Sequence, residues 1–133
     1  MEQGWTKAFE TKTAAAFGDN FAAGITLEAS VLARPAVGRD TVKAVMAAAS
    51  SIYEALEFTH QAMQGPRTYL EWKAQAFGGL PISGITILTK DKDGKIVNAA
   101  IHHRPLGAAL KFSSELARRL HGVLDADHFY QAD

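Results

Sequence analysis

Five histidines and no cysteine set the limits on what chemistry this chain can perform. Imidazole is the side chain whose ordinary pKa lies nearest neutrality, so His60 and His103 are the candidates for general acid/base work. Without cysteine there is no thiol nucleophile, no thiolate metal site and no disulfide. His102 and His103 are adjacent, so on a strand they point to opposite faces and cannot hold one ion together. His121 and His128 flank Asp125 and Asp127 near a solvated C-terminus, of which 125–133 reads as a loose tail. No metal site and no cofactor are expected. The chain has no Gly-x-Ser-x-Gly elbow and no phosphate-binding loop. Arg39 and Arg104 read as surface groups near element ends rather than as an anion site.

The elements that would position the histidines follow from periodicity. Trp5, Ala8, Phe9 and Ala16 recur at helical spacing until Gly18-Asp19-Asn20 supplies a turn, and a short helical stretch around Phe21 is expected next. Ile25 to Leu32 alternates as a half-buried strand that Arg34-Pro35 stops. Asp40 or Thr41 can cap a helix carrying Val42, Val45, Met46, Ala49, Ile52 and Tyr53 as one apolar stripe. Four strand-like runs then succeed one another: Leu56 to Gln64, Arg67 to Phe77, Ile82 to Lys90 and Lys95 to Arg104. Gly65-Pro66, Gly78-Gly79 with Pro81, and Asp91-Lys92-Asp93-Gly94 mark the turns between them. After Pro105, the spacing of Leu106, Leu110, Leu116, Leu120 and Leu124 predicts one or two closing helices. The fold class is α+β, a single domain over 1–133 with helices packed on a curved antiparallel sheet.

Strand alternation sorts the side chains onto two faces. On the second run of the meander Tyr69, Glu71, Lys73 and Gln75 are too polar for a dry core, so Leu70, Trp72, Ala74 and Ala76 face in. The same logic turns Leu56, Phe58, His60 and Ala62 inward on the first run. On the fourth it turns Val97, Ala99, Ile101 and His103 inward, with His102 outward. The expected interior is apolar with a few polar groups, as in a small-ligand pocket. The expected catalytic pair is His60 and His103, with Trp72, Thr86, Phe58, Ile101, Ser30 and Ala29 as ligand-binding residues. Against this stands the plainer reading that the inward histidines are hydrogen-bonded core residues and that Trp72 only packs.

Length and balance narrow the classes further. The 133 residues are 47% apolar, enough for a core without staples. The 14 basic and 14 acidic side chains cancel, so no field draws the chain to nucleic acid or to an anionic membrane. The first thirteen residues lack the apolar run of a signal peptide or a membrane span, and the expected compartment is the cytoplasm.

Several motifs, in this order and spacing, resemble the NTF2-like superfamily, specifically its SnoaL-like and ketosteroid-isomerase-like members. They are Thr26-Leu27-Glu28-Ala29 before Pro35-Ala36-Val37-Gly38-Arg39, then Tyr69-Leu70-Glu71-Trp72, then Asp93-Gly94-Lys95-Ile96 and Arg104-Pro105-Leu106. The likeness runs from about Phe21 to Leu120. It implies a cystatin-like cone whose concave side binds small, often hydrophobic molecules, and a homodimer through the outer sheet face. It also implies a range of activities, namely isomerisation, cyclisation or hydrolysis, with many members that have none. The position of the isomerases' carboxylate base falls on Ala29, which cannot take a proton, and their acidic oxyanion donor falls on Thr86. Two readings follow: a small-molecule binder with acid/base chemistry at His60 or His103, and a non-catalytic ligand-binding or dimerisation module.

Overall fold

The computed structural model describes residues 3–130. Two short helices, α1 (Gln3–Thr11) and α2 (Ala14–Gly18), precede the strand β1 (Phe21–Ala29), the two-residue β2 (Ala36–Val37) and the helix α3 (Arg39–Ile52). A meander follows: β3 (Ala55–Gln64), β4 (Arg67–Ala76), β5 (Leu80–Lys90) and β6 (Ile96–Arg104). The helix α4 (Leu106–Arg119) and a 3₁₀ turn, Ala126–His128, complete the chain. The six strands form one curved sheet in the order β2-β1-β6-β5-β4-β3. Only the β1/β6 pair is parallel. The architecture is the α+β class that the alternation predicts, with helices on the concave face.

The meander forms where turn residues punctuate the sequence. Between β5 and β6, Asp91 Oδ1 accepts the N–H groups of Asp93 and Lys95, while Gly94 takes the left-handed conformation at φ 80°. The four expected runs lie within two residues of β3 to β6 at each boundary. On the concave side α3 buries Val42, Val45, Met46, Ala49 and Ile52, the stripe read from sequence.

Four expectations are corrected. Phe21 begins a strand, because Asn20 O accepts the Ile96 N–H and draws the chain alongside β6. Gly38, at φ 97°, is the residue before α3, and Asp40 lies inside its first turn. The leucine spacing misplaces the buried face of α4. Its core residues are Ala108, Ala109, Phe112, Ser113 and Leu116, whereas Leu106 and Leu110 are 73% and 39% exposed.

The expected loose tail is docked as far as Tyr130; residues 131–133 lie outside the described residues. Phe129 is buried and pairs with Leu32, and the Ala33 N–H donates to His128 O at 2.7 Å. Ser113 fixes the end of this segment: its hydroxyl donates to Val31 O and accepts the Tyr130 N–H at 2.8 Å. A buried hydroxyl that satisfies two backbone groups from distant segments holds both in place. Among the described residues no helix is long and apolar enough to cross a membrane.

Candidate functional site

The concave face holds a cavity whose polar groups come from three strands and one helix end. In sheet register Trp72 of β4 faces Gly84 of β5, which faces His103 of β6. Gly84 is required there: a Cβ would lie 2.0 Å from His102 O and 2.8 Å from the Trp72 ring. The indole crosses the space this glycine leaves, and its Nε1–H donates to Thr86 Oγ1 at 3.0 Å. A glycine inside a strand pattern is the sequence signal for such a close approach.

His103 stands edge-on to Trp72, with ring centroids 5.5 Å apart, and tilted against Phe112 at 5.8 Å. Its Nδ1 is buried and has no hydrogen-bond partner among the described residues. Burial pushes the imidazole down to about 4, partly offset by a hydrogen bond that the ring donates to the Ile101 backbone, with a small further push from His102. The ring is therefore neutral at physiological pH and offers one donor and one acceptor. Tyr53, at the end of α3, packs on Phe112 and Trp72 with centroids at 5.0 and 5.8 Å. Burial alone raises its hydroxyl well above the usual range, so it remains a donor.

Of the residues expected from sequence, His103, Trp72, Thr86, Phe58, Ile101 and Ala29 line this cavity. Ser30 does not. It is exposed, and its hydroxyl accepts the His103 backbone N–H at 2.9 Å, so it anchors the strand that carries the histidine.

His60 is the main correction. Phe58 pairs with Trp72 but His60 pairs with Glu71, so Thr59 is an extra residue, a β-bulge that breaks the alternation. The bulge turns His60 to the outer face, where its side chain is 78% exposed and Nδ1 lies 2.8 Å from Glu71 Oε1. Ala62, also expected to face in, is exposed. His60 and His103 lie on opposite faces of the sheet and form no acid/base pair.

The remaining walls are apolar, from Leu27, Val31, Val45, Met46, Ala49, Leu116 and their neighbours. The space is narrow. Measured as room for the centre of a water-sized sphere it is about 20 Å³, enough for one water. Sequence reasoning missed Tyr53 as a site residue because it sits on the apolar stripe of α3 and reads as core. Its polar tip at the junction of α3 with β3 was the available signal.

A family model described as a SnoaL-like domain matches residues 3–99. Among solved structures, an uncharacterised cystatin-like protein from Silicibacter pomeroyi DSS-3 is 17% identical, with 90% of this chain and 86% of that one covered at a TM-score of 0.82. A steroid delta-isomerase from Pseudomonas aeruginosa is 20% identical, with coverage of 89% and 87% and a TM-score of 0.80. A protein of ketosteroid-isomerase-like fold from Catenulispora acidiphila DSM 44928, solved with trimethylamine, is 19% identical over 84% and 89% at a TM-score of 0.67. At these identities the likeness is one of fold. No curated protein sequence is significantly similar.

Proposed function

Since the chain belongs to the SnoaL-like domain family, we propose that it binds a small, largely apolar molecule in the cone and holds that molecule's polar group against His103. The observation that carries this reading is the buried Nδ1 of His103, without a hydrogen-bond partner among the described residues, in a mostly apolar cavity. A buried polar atom without a partner costs about 1 to 3 kcal/mol, which a ligand carbonyl or hydroxyl would recover. Thr86 and Tyr53 supply further hydroxyls along the same wall.

A small cyclic ketone such as cyclohexanone tests the reading, with binding followed by the Trp72 indole N–H resonance. Wild type should bind, and His103→Leu should weaken binding by about fivefold to tenfold, the worth of one hydrogen bond. Equal affinity in both proteins sinks the assignment of His103.

Acid/base catalysis is the second reading. A neutral imidazole and a protonated phenol lining one cavity are an acceptor and a donor of the kind that enolisation uses. Deuterium exchange at the ketone's α-carbon should fall in both His103→Ala and Tyr53→Phe; exchange that is unchanged in both leaves the binding module alone. We also propose a two-fold dimer through the outer sheet face, supported by Ile85, 42% exposed between Glu71 and His102 in the strand register. Sedimentation that gives only monomer at high concentration argues against it. The cytoplasm remains the proposed compartment, and fractionation of the host cell tests it.

A further inference from the structure

The inner cavity does not end at its aromatic wall. A second recess, about 370 Å³, lies outside it between α1 and the junction of α3 with β3, and it shares Phe9, Tyr53, Leu56 and Phe58 with the cavity. The other residues lining this recess are mostly polar: Thr6, Glu10, Lys12, Ser50 and Glu54. Polar rim and apolar interior therefore meet at two rings, Phe9 and Phe58, set edge to face with centroids 5.8 Å apart.

Both ends of α1 are anchored. At one end Trp5 is fully buried, and Gly4 lies so near Asn20 that a Cβ would come within 2.2 Å of its Oδ1. At the other, Lys12 takes the left-handed conformation at φ 61°, its Nζ reaches Tyr53 O at 3.4 Å, and α2 follows with Phe17 buried. Phe9 lies between them, half-buried and edge-on to Trp5 and Phe17 at 5.5 and 5.1 Å. A turn of the Phe9 side chain about its own bonds, with the helix in place, would withdraw its ring from Phe58.

The charges of the rim are mixed and partly committed. Both Glu54 oxygens accept backbone N–H groups, from Gly78 at 2.9 Å and Gly79 at 2.8 Å. Lys12 is engaged by Tyr53 O, and Glu10 lies one turn away on the same helix end. With Glu54 held by two backbone N–H groups, Glu10 and Lys12 remain as one charge of each sign, and a neutral hydrogen-bonding head is repelled by neither.

We propose that cavity and recess are two halves of one site for an elongated neutral amphiphile, such as a ketone whose extended hydrocarbon body carries a hydroxyl at its far end. The carbonyl and the hydrocarbon lie in the inner half, with the carbonyl against His103, and the hydroxyl head lies in the outer half, with Phe9 as the movable partition. The inference rests on the binding reading above and adds to it a length, a head group and a point of entry. The inner half holds little more than one water at rest, so the hydrocarbon enters as Phe9 and the flexible Met46 give way.

A series of 1-alkanols from butanol to decanol, titrated into the full chain and followed by the same indole resonance, tests this. One continuous site predicts affinity rising by about fourfold per methylene along the series, the worth of each buried CH₂. Phe9→Leu and Phe9→Ala should speed association by about tenfold, because they remove the closed partition. Glu10→Lys should strengthen decanoate about fivefold relative to decanol, since it alters the charge of the half that holds the head. Affinity that stops rising at the short alkanols, with association unchanged in both Phe9 variants, overturns the two-chamber site while leaving a small-ligand pocket. Folded protein that binds no alkanol and no cyclohexanone overturns the binding reading itself, and this inference with it.

Discussion

His102 and His103 share a peptide bond and almost nothing else. His103 faces into the cone, where burial holds it neutral and its Nδ1 lacks a partner among the described residues. His102 faces out, in register with Ile85 and, through it, with Glu71 and with His60, whose Nδ1 lies 2.8 Å from Glu71 Oε1. The two histidines thus differ in dielectric, not in residue type. Facing decides the chemistry, and the sheet's alternation decides the facing.

Four experiments would break or sharpen this contrast. The largest effect is expected at the glycine on which the inner row depends. Gly84→Val forces a side chain onto His102 O and the Trp72 ring, and should cost at least about 3 kcal/mol in urea unfolding. A stable Gly84→Val protein with a native Trp72 resonance would mean that the row tolerates spreading.

Next is the pH dependence that His103 imposes. Its folded-state pKa, about 4, lies below the ordinary value of 6.5, so between these values the unfolded chain binds the extra proton and the folded one does not. Above pH 6.5 both states are neutral and His103 imposes no penalty. As pH falls from about 6.5 to 4, stability should decline by about 3 kcal/mol from this group, and His103→Phe should remove that part of the decline. Identical slopes in both proteins would place the imidazole in water.

Thr86→Val, which leaves the Trp72 Nε1–H without its acceptor, should cost about 2 kcal/mol. In a Trp72→Phe background the same change should cost far less, so a double-mutant cycle isolates the bond. The smallest effect belongs to the outer row. His60→Ala should change stability by less than about 1 kcal/mol, as for other exposed side-chain contacts, and should leave cyclohexanone affinity untouched. A loss of affinity there would return His60 to the site.

Much of this was legible in the sequence. The meander was, because its turns carry residues that only turns favour and because Glu71, Lys73 and Gln75 could not be buried. Six of the eight expected site residues line the cavity for the same reason: once the face of Trp72 is known, register carries the choice to Thr86 and Ile101. What failed was local. The Thr59 bulge leaves no trace in composition, since threonine suits a regular strand as well as an irregular one. In α4, small residues form the buried face, so the leucines that draw the eye lie partly outside. The two-residue β2 is too short to show a period. The tail is held by the burial of Phe129, by its pairing with Leu32 and by the Ser113 hydroxyl on a distant helix, tertiary contacts that no local pattern encodes.

The Thr59 bulge works as a frameshift in space. Everything on β3 before it keeps one assignment of faces, and everything from His60 to Gln64 keeps the other. Held in a regular ladder with no bulge, this one residue would exchange inside for outside along the strand's far half and carry an imidazole from solvent to the cone's side of the sheet. Its deletion would do no such thing: Phe58 and His60 would become neighbours in regular alternation, opposite Trp72 and Glu71 as now, and the strand can therefore take up or lose a residue at this point with every face kept.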